Sequence, residues 1–358
     1  MTVATDDPTP TRPGSGLADM SPAYFGLVMA TGIVSLGAFM MERPALALAL
    51  FHLNIGQYVL LCGLYGLRAW RHPRRFFGDM VDHLTGPAYF TAVAATGILA
   101  SQFMVLRGDF VIGKALWLFA VILWLGLTYT IFTAFTVKRD KPTLDKGING
   151  GWLLAVVATQ ALSVSTALLA AQSSQPLRLE FNFIALSTWL WGGMLYIWMM
   201  ALIFYRYVFF RFSPDDLSPP YWINMGAMAI STLAGSLLIL NAPQAPYLAS
   251  LLPFLKGFTI FYWATGTWWI PMLLLLGVWR HGFQRFPLRY DPLYWGAVFP
   301  LGMYAVCTWQ LDRAMEFGFL AGLTRVFFHV ALAAWALVFV GMLHALGRRL
   351  WDRMAAIS

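Results

Sequence analysis

The sequence predicts an all-α integral membrane protein. Ten transmembrane helices form five helical hairpins in a pseudo-fivefold arrangement around a central pore. Three observations predict this. Hydrophobic residues make up 59% of the 358 and charged residues only 11%, less than half the roughly 25% charged share of a soluble domain. Ten apolar runs each approach the roughly 20 residues that a bilayer requires. A sequence pattern then returns five times, in which a small residue or proline leads into an aromatic pair and a stripe of small residues.

The elements follow in chain order. Residues 1–20 are rich in Pro, Thr, Asp, Gly and Ser and read as a flexible tail without the basic start of a cleaved signal. The transport domain is expected over 21–346, with spans at about 21–41, 44–67, 86–106, 110–137, 151–172, 181–210, 220–240, 247–279, 292–311 and 321–346. A short tail, 347–358, closes the chain. The odd-numbered spans carry the repeat: PAYFGLVMATGIVS from Pro22, PAYFTAVAATGILAS from Pro87, GGWLLAVVATQALSVS from Gly150, PPYWINMGAMAIS from Pro219 and PLYWGAVFPLGMYA from Pro292. Measured between the anchors Tyr24, Tyr89, Trp152, Tyr221 and Tyr294, the steps are about 65, 63, 69 and 73 residues, close to two spans with their connections. Each even-numbered span closes a hairpin.

Charge orients the bundle. Of the 24 Lys and Arg residues, Arg43, Arg107, Lys114, Arg178, Lys256, Arg313 and Arg325 fall on one side, and the other seventeen lie in the tails and the connections after even-numbered spans. The positive-inside rule then places both termini in the cytoplasm of a multi-pass inner (plasma) membrane protein. These basic residues sit in short loops, so the formal net charge of +8 is no nucleic-acid signal. The loop KRDKPTLDKGING reads as a charged, turn-rich connection.

Within the leading spans, small residues stand six positions after the anchor (Ala30, Ala95, Ala158, Ala227, Pro300) and eleven after it (Ser35, Ala100, Ser163, Thr232, Ala305). Seven after it come Thr31, Thr96 and Thr159, and eight after it Gly32, Gly97, Gln160, Ala229 and Gly302. Close helix packing explains small residues by itself, but recurrence in five leading helices favours a shared environment around a path. Thr31, Gly32, Thr96, Gly97, Thr159, Gln160, Gly226 and Gly302 are therefore the candidate pore lining. All 16 carboxylates fall in tails, loops or span ends, whereas a proton- or sodium-driven carrier usually buries one. Lys256 and Arg325 do enter apolar runs, in the outward half of their spans, and are the candidates for anion attraction; snorkelling to the outer headgroups is the competing reading. His52, His329 and His344 stand singly, without metal spacing. Cys62 and Cys307 read as small core residues. No nucleophile constellation or phosphate loop occurs. No cofactor, metal or catalytic residue is expected, and an enzyme is disfavoured.

The motifs PAYFGLVMATGIVS, YWINMGAMAIS, PFLKGF and WGAVFPLGMYA, in this order and spacing, resemble the tellurite-resistance/dicarboxylate transporter family over essentially the whole chain after the tail. That family includes yeast malate and sulfite transporters and plant slow anion channels. The resemblance implies ten helices around a pseudo-fivefold pore, a homotrimer with one pore per subunit, and anion permeation. It also implies that Phe299, in VFPLG, is the aromatic gate of the ninth helix. The long regulatory terminus of the plant members has no counterpart here. The residues themselves support Phe299, because the positions matching it five after each anchor are Met29, Ala94, Val157 and Gly226. In a straight helix Phe299 shares a face with the glycine stripe rather than with the threonines, and Pro300 offers a kink that reconciles the two. The expected function is a channel or transporter for small anions, with four-carbon dicarboxylates as the family-based substrate. The alternative is a proton-coupled organic-acid carrier or a sulfite exporter.

Overall fold

Proline and aromatic residues at the head of each repeat set how the leading helices begin. Four heads place Pro at the first or second position of a short 3-10 turn, where the missing N–H costs nothing: Pro22–Phe25, Gly86–Tyr89, Pro219–Trp222 and Pro292–Tyr294. The third, Gly150–Leu153, is capped instead by the Asn149 side chain, which accepts from the Gly151 N–H. Ser21 and Asp291 cap the first and fifth heads in the same way.

The computed structural model describes residues 16–287 and 290–355. Its long helices are α1 (Gly26–Met40), α2 (Pro44–Arg71), α3 (Phe90–Arg107), α4 (Phe110–Val137), α5 (Leu154–Gln172), α6 (Leu177–Phe209), α7 (Ile223–Asn241), α8 (Leu252–Val278), α9 (Trp295–Met315) and α10 (Ala321–Ala355). No strand occurs among the described residues. Every expected span is a helix, and nine helices among the described residues are long and apolar enough to cross a membrane. The exception is α9, which has Pro300 inside it and Gln310, Asp312 and Arg313 near its end. Most of the expected tail 1–20 lies outside the described residues, but Leu17–Asp19 form a turn tied to α2. At the other end α10 continues to Ala355, past the expected boundary at 346.

Each odd helix packs against the even helix that follows it, giving five hairpins. The odd helices also contact one another in chain order, α1 to α3 to α5 to α7 to α9, and α9 closes the cycle against α1. Their residues are buried nearly all round, while α4, α8 and α10 turn large apolar side chains such as Val111, Leu275 and Leu337 outward. This is the arrangement a bilayer favours: backbone satisfied within helices, apolar side chains towards lipid, and the most enclosed helices in the centre.

Buried arginines join successive hairpins at the end that carries the basic loops. At the end of α2, Arg68 donates through Nη1 to the Tyr89 hydroxyl (3.2 Å), through Nε to the Ala18 carbonyl (3.1 Å) and through Nη2 to Asp79. At the end of α6, Arg206 repeats the arrangement, donating to the Tyr221 hydroxyl (3.0 Å), the Asp145 carbonyl (2.8 Å) and Asp216 Oδ1 (2.8 Å). The guanidinium planes also sit over Phe76 and Phe212 at 5.7 and 5.8 Å, a favourable cation–π placement. Partial burial works to raise the pKa of Asp216, but bonds from Ser213 and the Arg206 charge outweigh it and hold the carboxyl below its ordinary value.

Candidate functional site

Two cavities lie at opposite ends of the helix cycle, and each is lined by all five odd helices. The cavity at the basic-loop end, about 30 Å³, is bordered by Gly26, Thr91, Leu154, Ile223 and Gly296. Each of these stands two positions after its repeat anchor. Met29 and Phe299, one turn further in, complete its floor. The opposite cavity, about 370 Å³, is bordered by Leu36, Ser101, Val164, Leu233 and Val306, each twelve positions after its anchor. One turn beyond come Met40, Leu168 and Gln310. The recurrence of one register in five helices means that a single helical face, stepping by three and four residues, points to the middle of the cycle.

Phe299 is 1% exposed and borders the small cavity. At the same level Gly226 makes room for the Pro300 ring: a Cβ there would lie 2.7 Å from Pro300 Cγ. That close approach of α7 to α9 needs glycine.

The threonine stripe turns the other way. Thr31 accepts from Trp335 Nε1 of α10 (3.0 Å), Thr159 from Trp124 Nε1 of α4 (2.8 Å), and Thr96 bonds the Tyr58 hydroxyl of α2 (2.9 Å). Gln160 donates to the Trp189 carbonyl of α6 (3.0 Å). The glycines lie between neighbours in the cycle, Gly32 against Ile98, Gly97 against Ala161 and Gly302 against Ile33. The stripe eleven after the anchor faces its own hairpin, since Ser35 and Ser163 donate to the Ala47 and Ala185 carbonyls. Thus Thr31, Gly32, Thr96, Gly97, Thr159, Gln160, Gly226 and Gly302 are brought together as packing groups around the cycle, and none of them borders either cavity. The lining faces escaped sequence reasoning because they mix residues of different size and polarity. The signal that could have found them was the common register of the five repeats.

Lys256 is half-buried on α8 and Arg325 exposed on α10, and neither borders the cavities. The charged residues that do border the larger cavity are Glu42 and Arg313. Arg313 stacks over the Trp309 ring at 4.5 Å. His329 is occupied structurally, with Nδ1 against the Arg325 carbonyl (2.7 Å) and Nε2 against Arg43 Nη2 (3.3 Å). Among the described residues no cluster of His, Cys, Asp or Glu could hold a metal ion.

The threonines carry a test of their own. Thr159→Val leaves the buried Trp124 N–H without its acceptor, and Thr96→Val does the same to the Tyr58 hydroxyl. Each is expected to lower stability by about 1–3 kcal/mol, the cost of an orphaned buried polar group, with ion selectivity unchanged. Thermal unfolding and flux of the purified variants check this. A selectivity change at full stability would return these hydroxyls to the lining.

A family model described as voltage-dependent anion channel, SLAC1, matches residues 19–343. An uncharacterized membrane protein of Mycobacterium tuberculosis is 39% identical over 154 residues, which cover 42% of this chain and 77% of that protein. An uncharacterized transporter of Methanocaldococcus jannaschii is 24% identical over 311 residues, covering 85% of this chain and 88% of the relative. A second transporter from the same organism is 22% identical over 327 residues, covering 89% and 91%.

Proposed function

Because this chain belongs to the voltage-dependent anion channel family, SLAC1, we propose that it moves small anions across the inner membrane along the middle of the five-helix cycle, past Phe299. The observation that carries this reading is the pair of cavities, each bordered by all five odd helices, with Phe299 on the border of the smaller one. Pseudo-fivefold repetition of one lining face supports a single central path. The N-termini of five helices surround the small cavity, and their aligned dipoles favour negative charge there. Four-carbon dicarboxylates are the proposed substrates and a homotrimer the proposed assembly, both carried by the family resemblance. By sequence, seventeen of the 24 Lys and Arg residues fall in the tails and the connections after even-numbered spans, which supports cytoplasmic termini.

The proposed source of attraction at the larger cavity is Arg313, in place of Lys256 and Arg325. In proteoliposomes, Arg313→Gln is expected to reduce anion flux several-fold at low ionic strength and little at high ionic strength, where the Debye length falls to about 3 Å at 1 M salt. Glu42→Gln is expected to raise flux at low ionic strength, and Lys256→Gln to leave it unchanged. The assay compares chloride, nitrate and a four-carbon dicarboxylate with potassium as the cation control. Equal potassium and anion flux through the wild type would end the proposal.

A further inference from the structure

A third cavity lies outside the helix cycle and has no part in the path. It is a groove of about 350 Å³ between α2, α3 and α4. Gly66 on α2 and Phe119 on α4 are both exposed along it, so it opens sideways towards the bilayer. No atom lies within 4 Å of where a Gly66 Cβ would stand. Its polar atoms are already spent: the Tyr58 hydroxyl on Thr96, the Tyr65 hydroxyl on the Ser21 carbonyl, and the Tyr89 hydroxyl between Arg68 and the Phe76 carbonyl. Such a slot offers hydrocarbon contact and nothing to a polar guest.

The end of the groove at the basic-loop face is different. A short helix, Pro73–Met80, closes it with Phe76 and Met80 turned inward and Arg74 exposed. Arg71, also exposed, precedes it. Beyond the short helix, His83 stacks on Phe135 near the end of α4 at 4.2 Å. Lys138 directly follows the last residue of α4, the helix whose Phe119, Leu123 and Leu127 form one wall of the groove; burial first, and then the Lys138 and Lys141 charges, hold His83 below its ordinary pKa. The nearby acids are largely committed: Asp79 to Arg68, Asp19 to Arg75, and Asp82 to the Leu84 and Thr85 N–H groups. Asp140 alone is exposed beside the lysines.

An apolar slot in the hydrocarbon zone with a cationic rim at headgroup depth fits one kind of molecule. We propose that the groove between α2 and α4 binds an anionic phospholipid, one acyl chain lying along Gly66 and the phosphate resting among Arg71, Arg74 and Lys138.

The test uses the full chain, delipidated in detergent and titrated with phosphatidylglycerol or phosphatidylcholine of identical acyl chains, with retained lipid read by native mass spectrometry. The expected result is a preference for phosphatidylglycerol of about tenfold or more, given two or more surface cations acting on one headgroup. Gly66→Trp fills the open space and is expected to abolish retention of both lipids. Arg71→Gln with Arg74→Gln is expected to remove the preference and keep weak binding. A readout on unmutated protein stands beside these: Cys62 borders the groove while Cys307 is buried, so phosphatidylglycerol is expected to slow maleimide labelling of Cys62 where phosphatidylcholine does not. Equal retention of the two lipids, unchanged retention in Gly66→Trp, or unprotected Cys62 would each overturn the proposal. An oligomer lost in Gly66→Trp would assign the groove to a second copy and overturn it too.

Discussion

Replacing Phe299 with alanine is expected to raise anion flux through reconstituted protein by about tenfold or more, the change that lowering a barrier by roughly 1.4 kcal/mol produces. The ring is buried and borders the small cavity. The positions matching it on α3, α5 and α7 are Ala94, Val157 and Gly226, too small to close the space once the phenyl is gone. Met29 on α1 is the remaining bulky neighbour at this level. Pro300 packs directly against Gly226 of α7, a contact that does not involve the ring. Phe299→Leu is expected to fall between wild type and alanine. A packing role predicts something else: a loss of about 3–5 kcal/mol of stability, poor yield and no added flux. A well-folded alanine variant with wild-type flux would rule out the gate.

The largest effect on stability is expected at the buried arginines. Arg206→Met removes a guanidinium that serves Tyr221, Asp216 and the Asp145 carbonyl at once. The expected cost is on the order of 3 kcal/mol, the low end for breaking a buried pair, because about 30% of the Asp216 side chain remains exposed to water. Arg68→Met is expected to behave alike, while Arg75→Met, whose partner Asp19 it meets at the surface, should cost about 0–1 kcal/mol. Thermal unfolding of the three variants decides the order, and equal losses would contradict it. Acid acts on the same link. The pKa of Asp216 is lowered in the folded state, so its contribution is present above the ordinary carboxylate value of about 3.9 and is lost as pH falls through the lowered folded value.

The helices were legible in the sequence because lipid imposes length and apolarity on every span. The expected span 110–137 coincides with α4, and each repeat head coincides with a 3-10 entry turn. The lining face was not legible, for a physical reason. Small residues are demanded where helices touch, and here they touch within hairpins at Ser35 and Ser163 and between cycle neighbours at Gly97 and Gly302. A cavity wall makes no such demand, so Leu36, Ser101, Val164 and Leu233 differ in size and polarity. Depth misled in the same way. Lys256 and Arg325 sit at the expected height but on even helices outside the cycle, and sequence reports height along a span more readily than its facing. Arg68 and Arg206 read only as loop charges, because Tyr89 and Tyr221, which they bind, come from the next repeat.

The most direct measurement is the reversal potential of Phe299→Ala in a planar bilayer under a potassium chloride gradient. An anion path through the middle of the five-helix cycle predicts a potential near the chloride equilibrium value, moving towards zero when Arg313→Gln is added. A potential near the potassium value, or no conductance from folded protein, would contradict it.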